Sequence, residues 1–426
     1  PCSPTHEPNA EYDLFISNAL KQGENFGATA IANNDTINSF QMPMRDYLSV
    51  DKEGNKSWIP FDDMSTSYTP QYSFMHGCDA YTVELPYGSP DAVKAVKYGF
   101  VGNAAYVAQN KDKFYLNQLE FFRRGLLNID SANLDKYYVS QSDVAGAESD
   151  IFRPKYKENN NFFPEYYVIP MDSKNQEDIS SAKATVAYLL RNDVKVKVLT
   201  KAVTVKGVSY AKGTVIVDMH QAKRNMANCA LYHNLVISDW GDLYSEPLTA
   251  FSQTRGFDMT VITKKGAFAS SSMKVITSAP KAATVVAGSG KATVISNNGL
   301  SAIKAVNRLL RNGKKVGMIT AGASKGDFVV STADFNTVKN RYILQASKTS
   351  TVPTAKVISK SVKVYIPGSA DPFRKDADGN YYGVKNYTNH SASSFGWDRF
   401  AFAKQMGFTL VDTAAEADII VGNRAL

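Results

Sequence analysis

Two stretches of the chain, 120 residues apart, carry similar sequences. Leu189-Leu-Arg-Asn-Asp-Val-Lys-Val-Lys-Val-Leu-Thr200 matches Leu309-Leu-Arg-Asn-Gly-Lys-Lys-Val-Gly-Met-Ile-Thr320. Further along, Lys212-Gly-Thr-Val-Ile-Val217 matches Lys325-Gly-Asp-Phe-Val-Val330 at a smaller offset, which indicates a shorter turn in the second copy. Because order, length and motif all repeat, the sequence predicts an internal duplication.

Each copy alternates strand, helix and strand. The apolar pair Val168-Ile169 opens the first copy, and Val294-Ile295 stands at the corresponding place in the second. A helical stripe and further short apolar runs follow in both copies. This alternation predicts a parallel or mixed sheet covered by helices, which is an α/β fold.

A third strand pattern lies between His76 and Tyr87. Ala80, Thr82 and Glu84 alternate with Tyr81, Val83 and Leu85, and this period of two predicts a strand. Pro86 ends it, because proline has no N–H to donate to a sheet. Glu84 is then the last polar residue of a strand that we expect to be buried. At the edge of an open α/β sheet, such a carboxylate is placed to act as a general base.

Helical patterns flank this strand on both sides. Apolar residues recur at threes and fours from Glu11 to about Ala32 and again from Asp91 to about Leu127. Pro90 is a helix-start signal, and Ser89 before it is a candidate N-cap. The polar sequence of residues 128–160 predicts a linker between this region and the first repeat.

The stretch Thr-x-Glu-hydrophobic-Pro at residues 82–86 resembles the end of the catalytic domain of zinc carboxypeptidases (carboxypeptidase A-like metallopeptidases). It follows an aromatic-rich loop and precedes a long helix, as in that family. The opening Pro-Cys-Ser-Pro-Thr-His-Glu-Pro-Asn-Ala-Glu-Tyr-Asp-Leu resembles a segment that follows the third zinc ligand in bacterial members. The resemblance implies a secreted or cell-surface bacterial enzyme that hydrolyses peptide or cell-wall peptide substrates.

The resemblance also implies roles for individual residues. Glu84 would be the general base on a zinc-bound water, and Tyr72 or Tyr68 would close over the terminal carboxylate of the substrate. An ordinary solvated glutamate at a strand end is the alternative for Glu84. Packing within a loop is the alternative for either tyrosine.

The metal ligands of the family do not appear in this sequence. No His-x-x-Glu pair occurs in the 426 residues, and His6, a candidate metal ligand, has no partner at ligand spacing. We therefore expect the zinc ligands upstream of Pro1 and interpret the chain as the C-terminal part of a longer protein, inactive alone.

Four regions follow from these patterns. Residues 1–155 are predicted to be the C-terminal part of a carboxypeptidase-like catalytic domain, a partial sheet with flanking helices. Residues 156–270 and 271–361 are predicted to be two small α/β accessory repeats. The last region, 362–426, resembles the start of a glutamine amidotransferase-like α/β unit.

Composition limits the remaining possibilities. Hydrophobic residues make up 44% of the chain, which is enough for real cores. No apolar run approaches the roughly 18 residues that a membrane span needs, so we expect none. The three cysteines form no Cys-x-x-Cys or Cys/His cluster, so we predict free buried thiols rather than a structural zinc site.

Positive charge is concentrated in the second repeat. Residues 265–363 contain 16 Lys and Arg against two acidic residues, whereas the whole chain has a net charge of +8. Such asymmetry indicates an anionic partner, for example an acidic cell-wall polymer. A lysine-rich surface that only maintains solubility explains the charge equally well. Two alternatives to the peptidase therefore stay open: a non-catalytic wall- or surface-binding protein, and a nucleic-acid binder, which the weak aromatic interleaving disfavours.

Overall fold

The computed structural model describes residues 2–4, 10–40, 46–50, 52–60, 69–85, 88–130, 154–233, 249–366 and 400–421. Two compact units are present. The N-terminal unit comprises Pro1–Gln176 and Ala182–Pro280, and the C-terminal unit comprises Glu177–Ser181 and Lys281–Leu426. The fold is mixed α/β, with several sheets and helices, as the sequence predicts.

Nine α-helices lie within the described residues: α1 (Tyr12–Ala32), α2 (Thr69–Met75), α3 (Pro90–Gln109), α4 (Lys111–Leu127), α5 (Ile179–Arg191), α6 (Arg224–Leu231), α7 (Phe251–Arg255), α8 (Leu300–Arg311) and α9 (Thr332–Val338). The two long helical patterns of the sequence become α1 and the pair α3 and α4. Ser89 caps α3, since its side chain accepts a hydrogen bond from the amide of Ala92 at 3.1 Å. None of the described helices is both long and apolar enough to cross a membrane.

The described strands up to residue 280 are β1 (Cys2–Pro4), β2 (Asp46–Val50), β3 (Lys56–Pro60), β4 (Tyr81–Val83), β5 (Tyr166–Ile169), β6 (Val196–Leu199), β7 (Val203–Val205), β8 (Val208–Tyr210), β9 (Val215–Asp218), β10 (Thr260–Ile262) and β11 (Met273–Ile276). Strands β1 and β4 form one antiparallel pair, β2 and β3 a second, and β7 and β8 a third. The other five form one sheet in the order β10-β5-β9-β6-β11.

One aromatic core joins the first region to the first repeat. Phe15 of α1 meets Phe74 of α2 and Phe121 of α4, with ring centroids 5.3 and 5.4 Å apart. The same buried cluster includes Phe162 and Tyr167 of the first repeat. The predicted boundary at residue 155 therefore does not separate two packing units.

The predicted linker is structured where it is described. Asn159 and Asn161 are buried. The side chain of Asn161 donates to the carbonyl oxygen of Asn128 at 2.6 Å, and that of Asn159 donates to the carbonyl oxygen of Phe163 at 2.9 Å. Residues 154–161 are thus part of the fold, because these amides satisfy buried backbone groups. Residues 131–153 lie outside the described part of the chain.

The described strands after residue 280 are β12 (Val285–Gly288), β13 (Ala292–Ile295), β14 (Val316–Ile319), β15 (Phe328–Ser331), β16 (Gln345–Thr349), β17 (Ala355–Ile358), β18 (Lys363–Tyr365), β19 (Thr409–Leu410) and β20 (Ile419–Ile420). A six-stranded sheet has the order β12-β16-β13-β15-β14-β17. Its core is formed with α8 and α9 around Leu309, Phe328 and Phe335. The last three strands form a small parallel sheet in the order β19-β18-β20.

The two larger sheets share one topology. The strand order of the first sheet, β10-β5-β9-β6-β11, corresponds strand by strand to β16-β13-β15-β14-β17 of the second. Every neighbouring pair in these two orders is antiparallel. In the first copy the hairpin of β7 and β8 lies between β6 and β9. Its residues account for the smaller sequence offset between the second pair of matched segments. The repeated sequence thus corresponds to a repeated strand order.

The helix ends repeat as closely as the strands. Asp193 after α5 and Gly313 after α8 both adopt left-handed backbone angles, with φ of 61° and 71°. In each copy the next amide donates to the carbonyl of the matched leucine, Leu189 or Leu309, at 3.0 Å. This is the Schellman arrangement that ends many helices. The Leu-Leu-Arg-Asn motif is therefore a helix-terminating signal in both places.

The prediction of a parallel or mixed sheet is wrong for the first copy, whose described strands are all antiparallel. The sheet of the second copy is mixed, with one parallel pair, β12 with β16. An alternation of strands and helices favours parallel pairing. Here a strand such as β15 follows the preceding strand after a turn without a helix, and it therefore pairs antiparallel with that strand. Strand β11, which lies beyond the predicted boundary at residue 270, pairs with β6 of the first sheet.

Candidate functional site

Glu84 lies immediately after β4 and its side chain is exposed. Strand β4 is half-buried, and its described partner is β1, in antiparallel register with Cys2 opposite Val83. The expectation of a buried strand in an open α/β sheet is therefore not met by the described residues. Glu84 lies at the end of the strand, as expected, but its exposure matches the alternative of a solvated strand-end glutamate rather than a desolvated base.

Tyr72 and His76 lie together one helical turn apart. Helix α2 buries Gln71, Phe74 and Met75 on one side. Tyr72, on the other side, is 43% exposed, and its ring centroid is 4.7 Å from that of His76, with the planes tilted by 51°. Of the other predicted site residues, Tyr68 and His6 lie outside the described residues.

Lys223 joins this aromatic pair from a distant part of the sequence. Its Nζ donates a hydrogen bond to Nδ1 of His76 at 2.7 Å. Burial lowers the pKa of His76, and the nearby charge of Lys223 lowers it further. Burial also lowers the pKa of Lys223, while Asp193 acts in the opposite direction on both groups. An imidazole that accepts from a lysine in this way is neutral.

The loop between β9 and α6, residues 219–223, reaches the N-terminal elements at several points. Directly after it, Arg224 is fully buried and forms an ion pair with Glu11, which precedes α1 and is also buried. The guanidinium donates to the side-chain oxygen of Asn128 at 3.1 Å and lies 3.6 Å from the ring centroid of Phe163. Burial lowers the pKa of Arg224 well below its usual value. This pair anchors α6 against the start of α1.

A second pair on the same loop carries an exposed imidazole. Nε2 of His220 lies 2.9 Å from a carboxylate oxygen of Glu165, whose side chain is 2% exposed. Asn159 donates to the other carboxylate oxygen at 3.1 Å. In the second copy the equivalent positions are Lys291 and Ala333, by the register of the matched strands. The fold itself therefore does not require this pair.

Asp79 is the buried carboxylate nearest in sequence to Glu84. Both of its carboxylate oxygens are buried. Burial raises the pKa of Asp79 well above its usual value, and Asn18, Lys113 and Gln22 act in the opposite direction. The net effect favours the protonated, neutral acid at this position.

The described residues do not fit a zinc ion. Among them, no group of three or more His, Cys, Asp or Glu side chains is arranged to hold a metal. Cys229 is buried, as predicted, whereas Cys78 is exposed. Because three protein ligands are the usual minimum for catalytic zinc, we derive no step through a metal from these residues.

Comparison with known proteins gives no relative. No protein-family model, no curated protein and no solved structure matches the chain.

Sequence reasoning missed Lys223 and Arg224. Each makes its contact across more than a hundred residues, 147 for Lys223 with His76 and 213 for Arg224 with Glu11. Neither belongs to a spacing motif. The available signal was the unusual run of charged and polar residues after a buried strand, Asp-Met-His-Gln-Ala-Lys-Arg.

Proposed function

We propose that the chain is the C-terminal part of a secreted zinc carboxypeptidase-like enzyme that hydrolyses peptide bonds, with Glu84 as general base. The observation that carries this proposal is the exposed Glu84 at the end of β4, within the segment that resembles the family. A solvent-accessible carboxylate at a fixed strand end can take a proton from an attacking water and return it to the leaving amine.

Tyr72 complements Glu84 in this proposal. Its half-exposed ring contacts the tilted ring of His76, and its hydroxyl would donate to a carboxylate of the substrate. The proposal requires zinc ligands that the described residues do not supply. The last region keeps its amidotransferase-like interpretation as a further proposal, supported by the parallel pairing of β18 with β19 and β20.

The test is a comparison of two isosteric variants of the natural, full-length protein. Glu84→Gln keeps the size of the side chain and removes the base, so release of C-terminal amino acids from short peptides should fall about 10²- to 10⁴-fold. Glu53→Gln, in the exposed turn before β3, is the matched control and should retain full activity. Unchanged turnover in Glu84→Gln would exclude the proposed role of Glu84.

A second candidate function is binding of an anionic polymer by the basic repeat. The specific observation is the scarcity of acids: within residues 265–363 the acidic residues are Asp327 and Asp334, and Asp334 already pairs with Lys314 at 3.1 Å. Lys315, Lys325 and Lys356 are exposed, and no carboxylate among the described residues forms an ion pair with them. Phosphate-rich polymers bind such surfaces by releasing counterions.

Salt dependence separates this candidate from a merely solubilising surface. Replacing Lys315, Lys325 and Lys356 by Gln should reduce the slope of log K against log salt by about one for each phosphate that the protein no longer neutralises. The same change at the exposed Lys94, Lys111 and Lys174 should leave the slope unaltered. Equal slopes for the two triple variants, measured with wall polymer and with RNA, would remove this candidate.

A further inference from the structure

Lys223 differs from the paired lysines of the N-terminal unit in having no acidic hydrogen-bond partner among the described residues. Lys21 pairs with Glu24 at 2.6 Å, and Lys197 pairs with Asp218 at 2.7 Å. The described contacts of Lys223 are instead the imidazole of His76, at 2.7 Å, and the ring of Phe122, whose centroid is 5.8 Å from Nζ. An ammonium without a carboxylate partner is less stabilised than one in an ion pair.

The groups around Lys223 come from several elements. Helix α2 is followed by His76, which lies against Tyr72, and α4 contributes the uncharged ring of Phe122. The turn after α5 contributes the exposed Asp193, whose charge favours the ammonium form. Burial is the larger effect and lowers the pKa of Lys223. The balance increases the fraction of free amine at neutral pH.

We propose that Lys223 is a reactive amine that condenses with aldehydes to form an imine, with Nδ1 of His76 as the proton acceptor. The geometry supports this assignment because the imidazole nitrogen already accepts a hydrogen bond from Nζ. Lys223 is only partly buried, so a small carbonyl compound can reach it. Desolvated lysines near a base are the ones that proteins use as nucleophiles.

The condensation balances without any further reactant. A proton of the ammonium passes to Nδ1 of His76, and the free amine forms a C–N bond to the carbonyl carbon, whose oxygen receives the π electron pair. A proton shift within the adduct from nitrogen to oxygen gives a carbinolamine. Its hydroxyl then takes the proton back from His76 and leaves as water, and a protonated C=N bond remains.

The proposal is tested with formaldehyde and cyanoborohydride, the reductant that traps the imine as a methylated amine. The full chain is treated at low extent at pH 7, and methylation of each lysine is measured by peptide mass spectrometry. Lys21 is the internal control, because its hydrogen bond with Glu24 raises its pKa. Lys223 should react severalfold faster than Lys21, because a lower pKa leaves a larger fraction of its amine unprotonated. An equal or slower rate would overturn the proposal.

Two variants test whether the reaction rate of Lys223 depends on His76 or only on the solvent exposure of the lysine. His76→Phe removes the proton acceptor and should slow methylation of Lys223 about threefold or more, while Lys21 keeps its rate. Tyr72→Phe keeps the ring contact and should leave both rates unchanged. If His76→Phe fails to fold, the wild-type pH profile decides: half-maximal methylation of Lys223 must occur at lower pH than that of Lys21. The same pH dependence for both lysines would contradict the proposal, independently of any peptidase activity.

Discussion

Asp79 shows how a single buried carboxylate makes stability depend on pH. Burial raises its pKa well above the usual 3.8. Below the pKa of the unfolded chain, both states hold the proton and Asp79 has no effect on the free energy of unfolding. As pH rises, the unfolded state ionises first and is favoured, so stability is lost between the unfolded and the folded pKa.

Replacing Asp79 by Asn should therefore stabilise the protein at neutral pH. The amide has nearly the same shape and stays neutral at every pH. The gain should be about 1.4 kcal/mol for each unit by which the folded pKa exceeds the unfolded one. It should appear in thermal melts at pH 7 and vanish below the unfolded pKa.

The exposed Asp112, in the first turn of α4, provides the control. Asp112→Asn should change the free energy of unfolding by no more than about 0.5 kcal/mol, as is usual for surface substitutions. A gain for Asp79→Asn that is the same at acidic and neutral pH would contradict the linkage argument.

Some residues of the candidate site could be named from the sequence, whereas others were recognised only in the structure. Glu84 ends a local strand pattern and Tyr72 is implied by the family resemblance, so both could be named from the sequence. Lys223 and Arg224 obtain their surroundings from His76 and Glu11, far away in the chain. Because burial and charge at these positions are set by tertiary contacts, the polar run that contains them does not reveal their partners.

At the scale of elements, the close approach of α4 to the loop after β9 depends on Gly125. The carbonyl of Gly125 accepts a hydrogen bond from the amide of Gln221 at 3.0 Å. A Cβ at position 125 would lie 2.5 Å from the carbonyl oxygen of Gln221, which is closer than atoms pack. The loop that carries Lys223 is therefore positioned by this contact.

Gly125→Ala should destabilise the protein by about 1–3 kcal/mol, because the helix and the loop must move apart. The intrinsic preference of alanine for helix, about 1 kcal/mol, opposes this loss without cancelling it. Chemical denaturation measures the net effect. Gly88→Ala is the control, since the space around Gly88 is open, and it should be neutral or slightly stabilising. A stabilised Gly125→Ala variant would show that the contact is not tight.

Elements with strong local signals were predicted well. Helix α1 follows the apolar periodicity of residues 11–32, and the cap at Ser89 marks the start of α3. The linker prediction was wrong at residues 154–161, because a run of asparagines is polar in sequence even where it is buried in the fold. Asn159 and Asn161 are buried since their amides satisfy backbone carbonyls of the fold.

At the scale of the whole molecule, each unit has a core of its own. Leu189 and Leu309 occupy matched positions of the two copies, and both are fully buried. Leu189 belongs to the core of the N-terminal unit and Leu309 to that of the C-terminal unit. We therefore expect two transitions in scanning calorimetry.

The matched leucines allow these transitions to be assigned. Leu→Ala at either site should cost about 2–5 kcal/mol, the usual range for a large-to-small change in a core. Leu189→Ala should lower the melting temperature of one transition, and Leu309→Ala that of the other. If either variant lowers both transitions equally, the units unfold together.

The sequence alone determined the duplication, the long helices and the position of Glu84 after a strand. These features depend on neighbours within a few residues or on repetition, so local physics is enough. Only the tertiary structure decided the antiparallel strand order, the continuity of the first region with the first repeat, and the pairing of Lys223 with His76. Those depend on contacts between distant segments, whose burial and geometry no local pattern encodes.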